Sequence, residues 1–227
     1  MIQSVLAPEM VNNIFAIIFY SFTIIPFAYG ALLFPGSRDQ KPVPAAPFVF
    51  ASFGLGFFAL GPYLAARQFR PEVDPASLGP VASAFNSPWL GRGLLLGALA
   101  LAASGVGTTF SAGGWDVPGY TELLKSSLLV RISSLDCALL SAAVAEPMRE
   151  DMMRRGWYPR PAALAADEEG EEGGRKPSAA EVARLVAFAA LPVVGPAAYV
   201  ALRPPLLPAG AAFSPQDKVG SAGLPDR

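Results

Sequence analysis

Two ionisable side chains, Arg131 and Asp136, lie inside the apolar stretch SLLVRISSLDCALLSAAVAE, residues 127–146. A charge at the centre of a bilayer costs roughly 2.5–3.5 kcal/mol on insertion scales, so such residues usually face a bundle interior, a cavity or a partner. On a helix, Ser127, Arg131, Ser134, Ala138, Ser141 and Ala145 form one stripe of small and polar side chains. Asp136 lies about 140° away from Arg131, nearer Ser133. The two charges are five residues apart and do not form the usual helical pair at a spacing of three or four. A cation here suits an anionic substrate, a lipid headgroup or a partner's carboxylate. A carboxylate here suits proton or ion passage, general acid–base work or a ligand contact. Structural readings compete with both. Arg131 can snorkel to the interface, and Asp136 can accept hydrogen bonds from hydroxyls such as Ser52, Ser104, Thr108 or a Tyr. The candidate contact residues are therefore Asp136, Arg131, Ser134 and Ser133.

Composition closes several other chemistries. The chain has no histidine, which removes His-ligated zinc, haem and di-iron sites and the commonest general base. Its single cysteine, Cys137, excludes an internal disulfide and any paired-cysteine metal or redox site. A net charge of −1 speaks against a nucleic-acid partner. No Walker loop, GxSxG elbow, catalytic carboxylate pair or dinucleotide fingerprint is present. These exclusions leave the cofactor unknown: a His-ligated metal or haem is closed, and a pigment or a lipid stays open.

The elements that must position these residues are membrane helices. The chain is 52% hydrophobic and only 15% charged, against about a quarter charged in soluble domains, and its mean hydropathy is +0.40. Apolar runs at Met10–Phe34, Phe48–Ala66, Leu90–Phe110, Leu123–Glu146 and Val182–Leu202 each approach or exceed the ~20 residues that cross a bilayer. The expectation is an all-α polytopic membrane bundle of about five spans. It divides into an N-terminal tail (1–9), a four-span region (10–146), a solvated low-complexity linker (147–181), a fifth span (182–203) and a flexible tail (204–227). The first run has no basic start and is too long for a signal peptide, so it reads as a retained span. Pro26 is expected to kink it, and Ala7-Pro8-Glu9 to start it. Start signals also stand at Asp74-Pro75, Ser87-Pro88 and the capping box Ser178–Glu181.

With five spans, Arg67, Arg70, Arg92, Arg149, Arg154, Arg155, Arg160, Arg175 and Lys176 share the N-terminal side. The positive-inside rule then puts the N-terminus and the linker in the cytoplasm or stroma. The two polar faces of the fourth span make it the expected central helix. Tyr63, Arg67, Trp157, Tyr199 and Arg203 read as interfacial anchors. Met148, Met152 and Met153, with Trp157, read as an amphipathic piece on the membrane surface. GPYLAARQFRP (61–71) and GPAAYVALRPP (195–205) resemble each other but fall on opposite sides in this topology; they read as two independent interface anchors after Gly-Pro kinks, with an inverted repeat as the lesser alternative.

The segments LGPYLAAR, RISSLDCALLSAAVAEPMREDMMRRGW and LPVVGPAAYVALRPPLLP resemble an uncharacterised family of multi-pass membrane proteins in cyanobacteria and chloroplasts, over roughly residues 45–208. The late span with one Asp and a basic exit is also faintly similar to the plastid membrane proteins required for neoxanthin formation. The resemblance implies a thylakoid or plastid-envelope membrane and no catalytic residues. Three roles are then expected, in this order: a non-catalytic accessory, assembly or scaffolding subunit among other membrane proteins; a small transporter or channel using Asp136 and Arg131; and a membrane enzyme or helper acting on a lipid or carotenoid.

Overall fold

The computed structural model describes residues 12–38, 40, 43–111, 113–160 and 176–208, and all elements among them are helical or turn. The expected N-terminal tail, the start signal at Ala7–Glu9, the centre of the linker and most of the C-terminal tail lie outside the described residues.

Three helices are long and apolar enough to cross a membrane: Asn13–Gly36, Pro88–Ser111 and Leu128–Arg154. The first is two α-helices, α1 (Asn13–Ser21) and α2 (Ile25–Leu33), closed by a 3₁₀ turn at Phe34–Gly36. The break falls at Phe22–Ile24, just before Pro26, which occupies the second position of α2, where its missing N–H costs nothing. The third is α8 (Leu128–Ala143) continued by α9 (Ala145–Arg154). Between them stand α5 (Pro80–Phe85), the uninterrupted crossing helix α6 (Pro88–Ser111) and the amphipathic α7 (Val117–Ser126). Asp74 and Ser178 cap their elements as their spacing predicts.

The second and fifth expected spans are not crossing helices. Each is two short helices folded back on itself. α3 (Ala45–Leu55) and α4 (Phe57–Ala66) turn at Gly56, whose φ of +53° and ψ of −129° suit only glycine. Phe48 stacks on Tyr63 with centroids 5.3 Å apart, and Gln40 and Gln68 exchange hydrogen bonds of 2.8 and 3.0 Å at the open end. α10 (Ala179–Ala189) and α11 (Val194–Leu202) turn at Val193, a β-branched residue held at φ +65°. Phe188 meets Tyr199 at 5.7 Å, and a Cβ on Gly195 would collide with the Phe188 carbonyl. Ten apolar residues, a turn and ten more have the same composition as one 20-residue span, so hydropathy does not separate the two cases.

The bundle therefore has two unlike ends. At one, Asn12 donates to the Asp116 carbonyl (2.8 Å) and Asn13 to the Gly114 carbonyl (3.2 Å), bringing the start of α1 to the loop between α6 and α7. At the other converge the end of α2, the open ends of both hairpins, the start of α6 and the end of α9. Because the first hairpin does not cross, α1 starts at the end opposite residues 147–160. GPYLAAR and GPAAYVALR both form the returning arm of a hairpin and finish at the same end, where Tyr63 and Tyr199 are buried, so in place of two interface anchors or an inverted repeat they are the ends of two hairpins of like orientation.

Apolar attraction between helices is weak in lipid, so close backbone approach matters more than area buried. Gly91 of α6 supplies it: a Cβ there would stand 2.5 Å from the Val200 carbonyl of α11. The outer surface is apolar, with Phe58, Trp89 and Phe110 all more than 70% exposed. α8 is not enclosed as expected, because Leu128, Ile132, Leu135 and Leu139 form an exposed face.

Gly56 is the most exacting backbone position, since a Cβ would run into the Asp136 carboxylate. Gly56→Ala is expected to destabilise the protein by about 1–3 kcal/mol or more, measured as denaturant unfolding of the detergent-solubilised chain. Gly54→Ala, in open space on the same arm, is the control and should leave stability unchanged.

Candidate functional site

The residues expected to do chemistry do not come together. Asp136, buried on α8, accepts a hydrogen bond from the Phe57 N–H at 2.6 Å. Phe57 is the first residue of α4, and the preceding Gly56 has no side chain to cap it. Asp136 thus caps another helix across space, placing a carboxylate at the positive end of the α4 dipole. None of the hydroxyls expected around it is used: Ser52 donates to the Val49 carbonyl, Ser104 to Leu101 and Thr108 to Ser104. The second hairpin needs no such cap. Pro196 has no N–H, and the Val194 and Gly195 N–H groups are taken by Pro192 and Leu191 carbonyls at 2.7 and 2.8 Å.

Arg131 is exposed near the start of α8. Its Nε and Nη2 donate to the Leu124 and Lys125 carbonyls at 3.1 and 2.8 Å, closing the C-terminus of α7. Ser133 is buried, while Ser134 accepts from the Tyr120 hydroxyl at 2.7 Å and donates to the Val130 carbonyl. Asp136 and Arg131 thus serve separate helix ends.

The larger constellation lies where a solvated linker was expected. Residues 147–155, apart from the half-buried Arg149, are buried: Glu150 and Asp151 are 0% exposed, with Met148, Met152 and Met153 beside them. Glu150 pairs with Arg67 at the end of the first hairpin and with Arg154 one turn along α9, and it accepts from the Arg70 N–H at 2.8 Å. Asp151 Oδ2 pairs with Arg155 at 2.8 Å and with Arg203, at the end of the second hairpin, at 3.0 Å, and takes the Tyr199 hydroxyl at 2.8 Å. Neighbours on a helix point about 100° apart, so two consecutive carboxylates hold two hairpins on different sides of α9.

The arginines extend the lock to the remaining elements. Arg154 donates to the Leu32 carbonyl (3.0 Å) and its guanidinium lies against Gly36, where no Cβ would fit. Arg203 reaches the Ala31 and Phe85 carbonyls at 2.8 and 3.0 Å, and Arg155 reaches Asn86 Oδ1 at 2.7 Å. Tyr63, Arg67, Tyr199 and Arg203, expected at the interface, are buried in this clasp or beside it, and Trp157 packs on Tyr199 at 6.2 Å. The signal that marks the clasp is the double four-residue spacing Glu150–Arg154 and Asp151–Arg155 beside a Met148–Met152 stripe.

A groove of about 410 Å³ lies between α1, α6, α8 and the tip of the second hairpin, with Ile17, Leu101, Cys137, Ser141 and Val193 on its walls. Its lining contains no Asp, Glu, Lys or Arg. Ser21 and Ser141 donate to carbonyls of their own helices, both at 2.7 Å, as Ser134 does at 2.6 Å. The described residues contain no cluster of three or more His, Cys, Asp or Glu that could hold a metal ion.

Comparison of the chain with known protein families, characterised proteins and solved structures finds no match.

Two outcomes separate capping from chemistry. An amide oxygen accepts the Phe57 N–H as a carboxylate does, so Asp136→Asn should stay near wild-type stability while Asp136→Ala loses about 1–2 kcal/mol; denaturant midpoints of both variants check this. Removing one member of a buried ion pair strands the other. Glu150→Ala and Asp151→Ala are each expected to cost about 3–5 kcal/mol, read as loss of the folded monodisperse species on size exclusion in detergent.

Proposed function

We propose that the chain is a non-catalytic accessory or scaffolding protein embedded in a membrane, the photosynthetic membrane of a plastid or cyanobacterium by the family resemblance. One observation carries this reading. Every buried carboxylate and guanidinium among the described residues binds a helix end or another charge, and none faces the groove. A transporter or an enzyme needs ionisable or nucleophilic groups aimed at a space where a substrate can sit. Here such groups hold helices instead, and the groove offers hydrocarbon contact and one half-buried thiol, Cys137.

Orientation follows from charge. Among the described basic residues, only Lys125 and Arg131 lie at the end where α1 begins; the others, from Arg38 to Arg203, gather at the clasp end or on the arms leading to it. The positive-inside rule supports a stromal or cytoplasmic clasp and the start of α1 on the far side.

Native purification from membranes in mild detergent tests the role. A scaffold is expected to migrate with a larger assembly in fixed proportion, with a membrane-impermeant thiol reagent reaching a cysteine placed at Arg160 only from the stromal or cytoplasmic face. A chain that migrates alone, or Asp136→Asn abolishing a solute flux while the protein still accumulates, would overturn the reading in favour of a carrier.

A further inference from the structure

We infer that the groove and the cationic edge beside it form one binding site for a membrane lipid with an anionic headgroup, the acyl chain lying in the groove and the headgroup anion meeting Arg131 and Lys125. The two parts are joined by a single face of α8. Arg131 stands one turn before Ser134 on the stripe that continues through Ala138 and Ser141, and the last three wall the groove. At 1.5 Å per residue, Ser134 to Ser141 spans roughly 10 Å of the helix axis. Arg131 lies only three residues from Leu128, where α8 begins, which is headgroup depth for a helix that crosses from that end.

The edge is cationic and unneutralised. The Arg131 guanidinium is fixed by the Leu124 and Lys125 carbonyls through Nε and Nη2, which leaves Nη1 without a partner among the described residues. Lys125 is exposed in the same turn of α7, and no carboxylate of the described residues forms an ion pair with either side chain. A fixed guanidinium beside an ammonium complements a phosphate or sulfonate headgroup.

The groove selects the rest of the ligand. Its hydroxyls are engaged by their own helices, so it offers no donor to a sugar or another polar solute. Ala102 and Ala138 on its walls are exposed, so it opens sideways into the hydrocarbon layer, from which a lipid chain enters without passing through water. The occupant is a bilayer lipid, chosen among lipids by its charge.

The full-length chain, reconstituted in nanodiscs of equal phosphatidylglycerol and phosphatidylcholine and released for native mass spectrometry, tests this directly. Wild type should retain phosphatidylglycerol about 25-fold over phosphatidylcholine, and Arg131→Gln and Lys125→Gln should each lower that preference by about fivefold, the factor expected for one basic residue near an anionic surface. Ala138→Phe, at an exposed wall position, should reduce retention of both lipids. Lys125→Gln removes no hydrogen bond given by its side chain, so it decides the matter even if Arg131→Gln disturbs α7. Equal retention of the two lipids by wild type overturns the site, as does a preference unchanged in the Lys125→Gln/Arg131→Gln double variant. A tightly held polypeptide in the place of lipid would do the same.

Discussion

The ion pairs of Glu150 and Asp151 are the interactions on which the rest of the bundle depends. A hairpin that enters and leaves at one end has no loop on the far side to anchor it, so its open end must be fixed to a crossing helix. Arg67 closes the first hairpin onto Glu150 and Arg203 closes the second onto Asp151. Both arginines follow a buried tyrosine by four residues, Tyr63 and Tyr199, so each returning arm ends in the same way. Two adjacent residues of α9 are enough because a helix turns about 100° between them. Buried ion pairs often add little net stability compared with apolar packing, but they tolerate no loss of a partner. What they contribute here is a unique register for five helix ends.

The tips of the hairpins pose the complementary problem. Backbone N–H groups in hydrocarbon must find acceptors within the protein, and irregular backbone survives at depth only where protein or a cavity surrounds it. The first tip takes its acceptor from Asp136, and the second relies on Pro196 and on the tight turn at Val193. The tips meet nearly opposite faces of α8. Gly56 packs on the side of Asp136, and Val193 faces the groove with Cys137 and Ser141. Of the two polar faces of that helix, visible in its sequence as stripes about 140° apart, the Asp136 face is thus explained as a docking position for a turn and the Ser134–Ser141 face as a wall of the groove.

Much of this was legible in the residues and some was not. The three crossing helices follow from run length, and the starts at Asp74, Ser87 and Ser178 from short-range capping chemistry, which is local and therefore readable. The hairpins were not, because hydropathy measures composition and does not detect a reversal: Gly56 and Val193 reverse the chain without adding a polar residue. The Gly-Pro pairs at 61–62 and 195–196 stand a few residues after the reversals and read as kinks. The clasp was missed for the opposite reason. EDMMRR has the composition of a solvated segment, and only partners more than 45 residues away, Arg67, Arg203 and Tyr199, turn its charges inward.

The same geometry bears on what the protein can do. A carrier that moved its hairpins in alternation would have to separate Arg67 from Glu150 or Arg203 from Asp151 in each cycle. Breaking such a pair leaves a buried charge alone, at a cost of about 3–5 kcal/mol unless another partner replaces it. Glu146, half exposed one turn before Glu150, already binds Arg67 alongside it, and the next carboxylate along α8, Asp136, is committed to the tip of α4. These pairs tie both hairpins to α9, and the surfaces left open to the bilayer are the exposed sides of α6 and α8 and the groove between them.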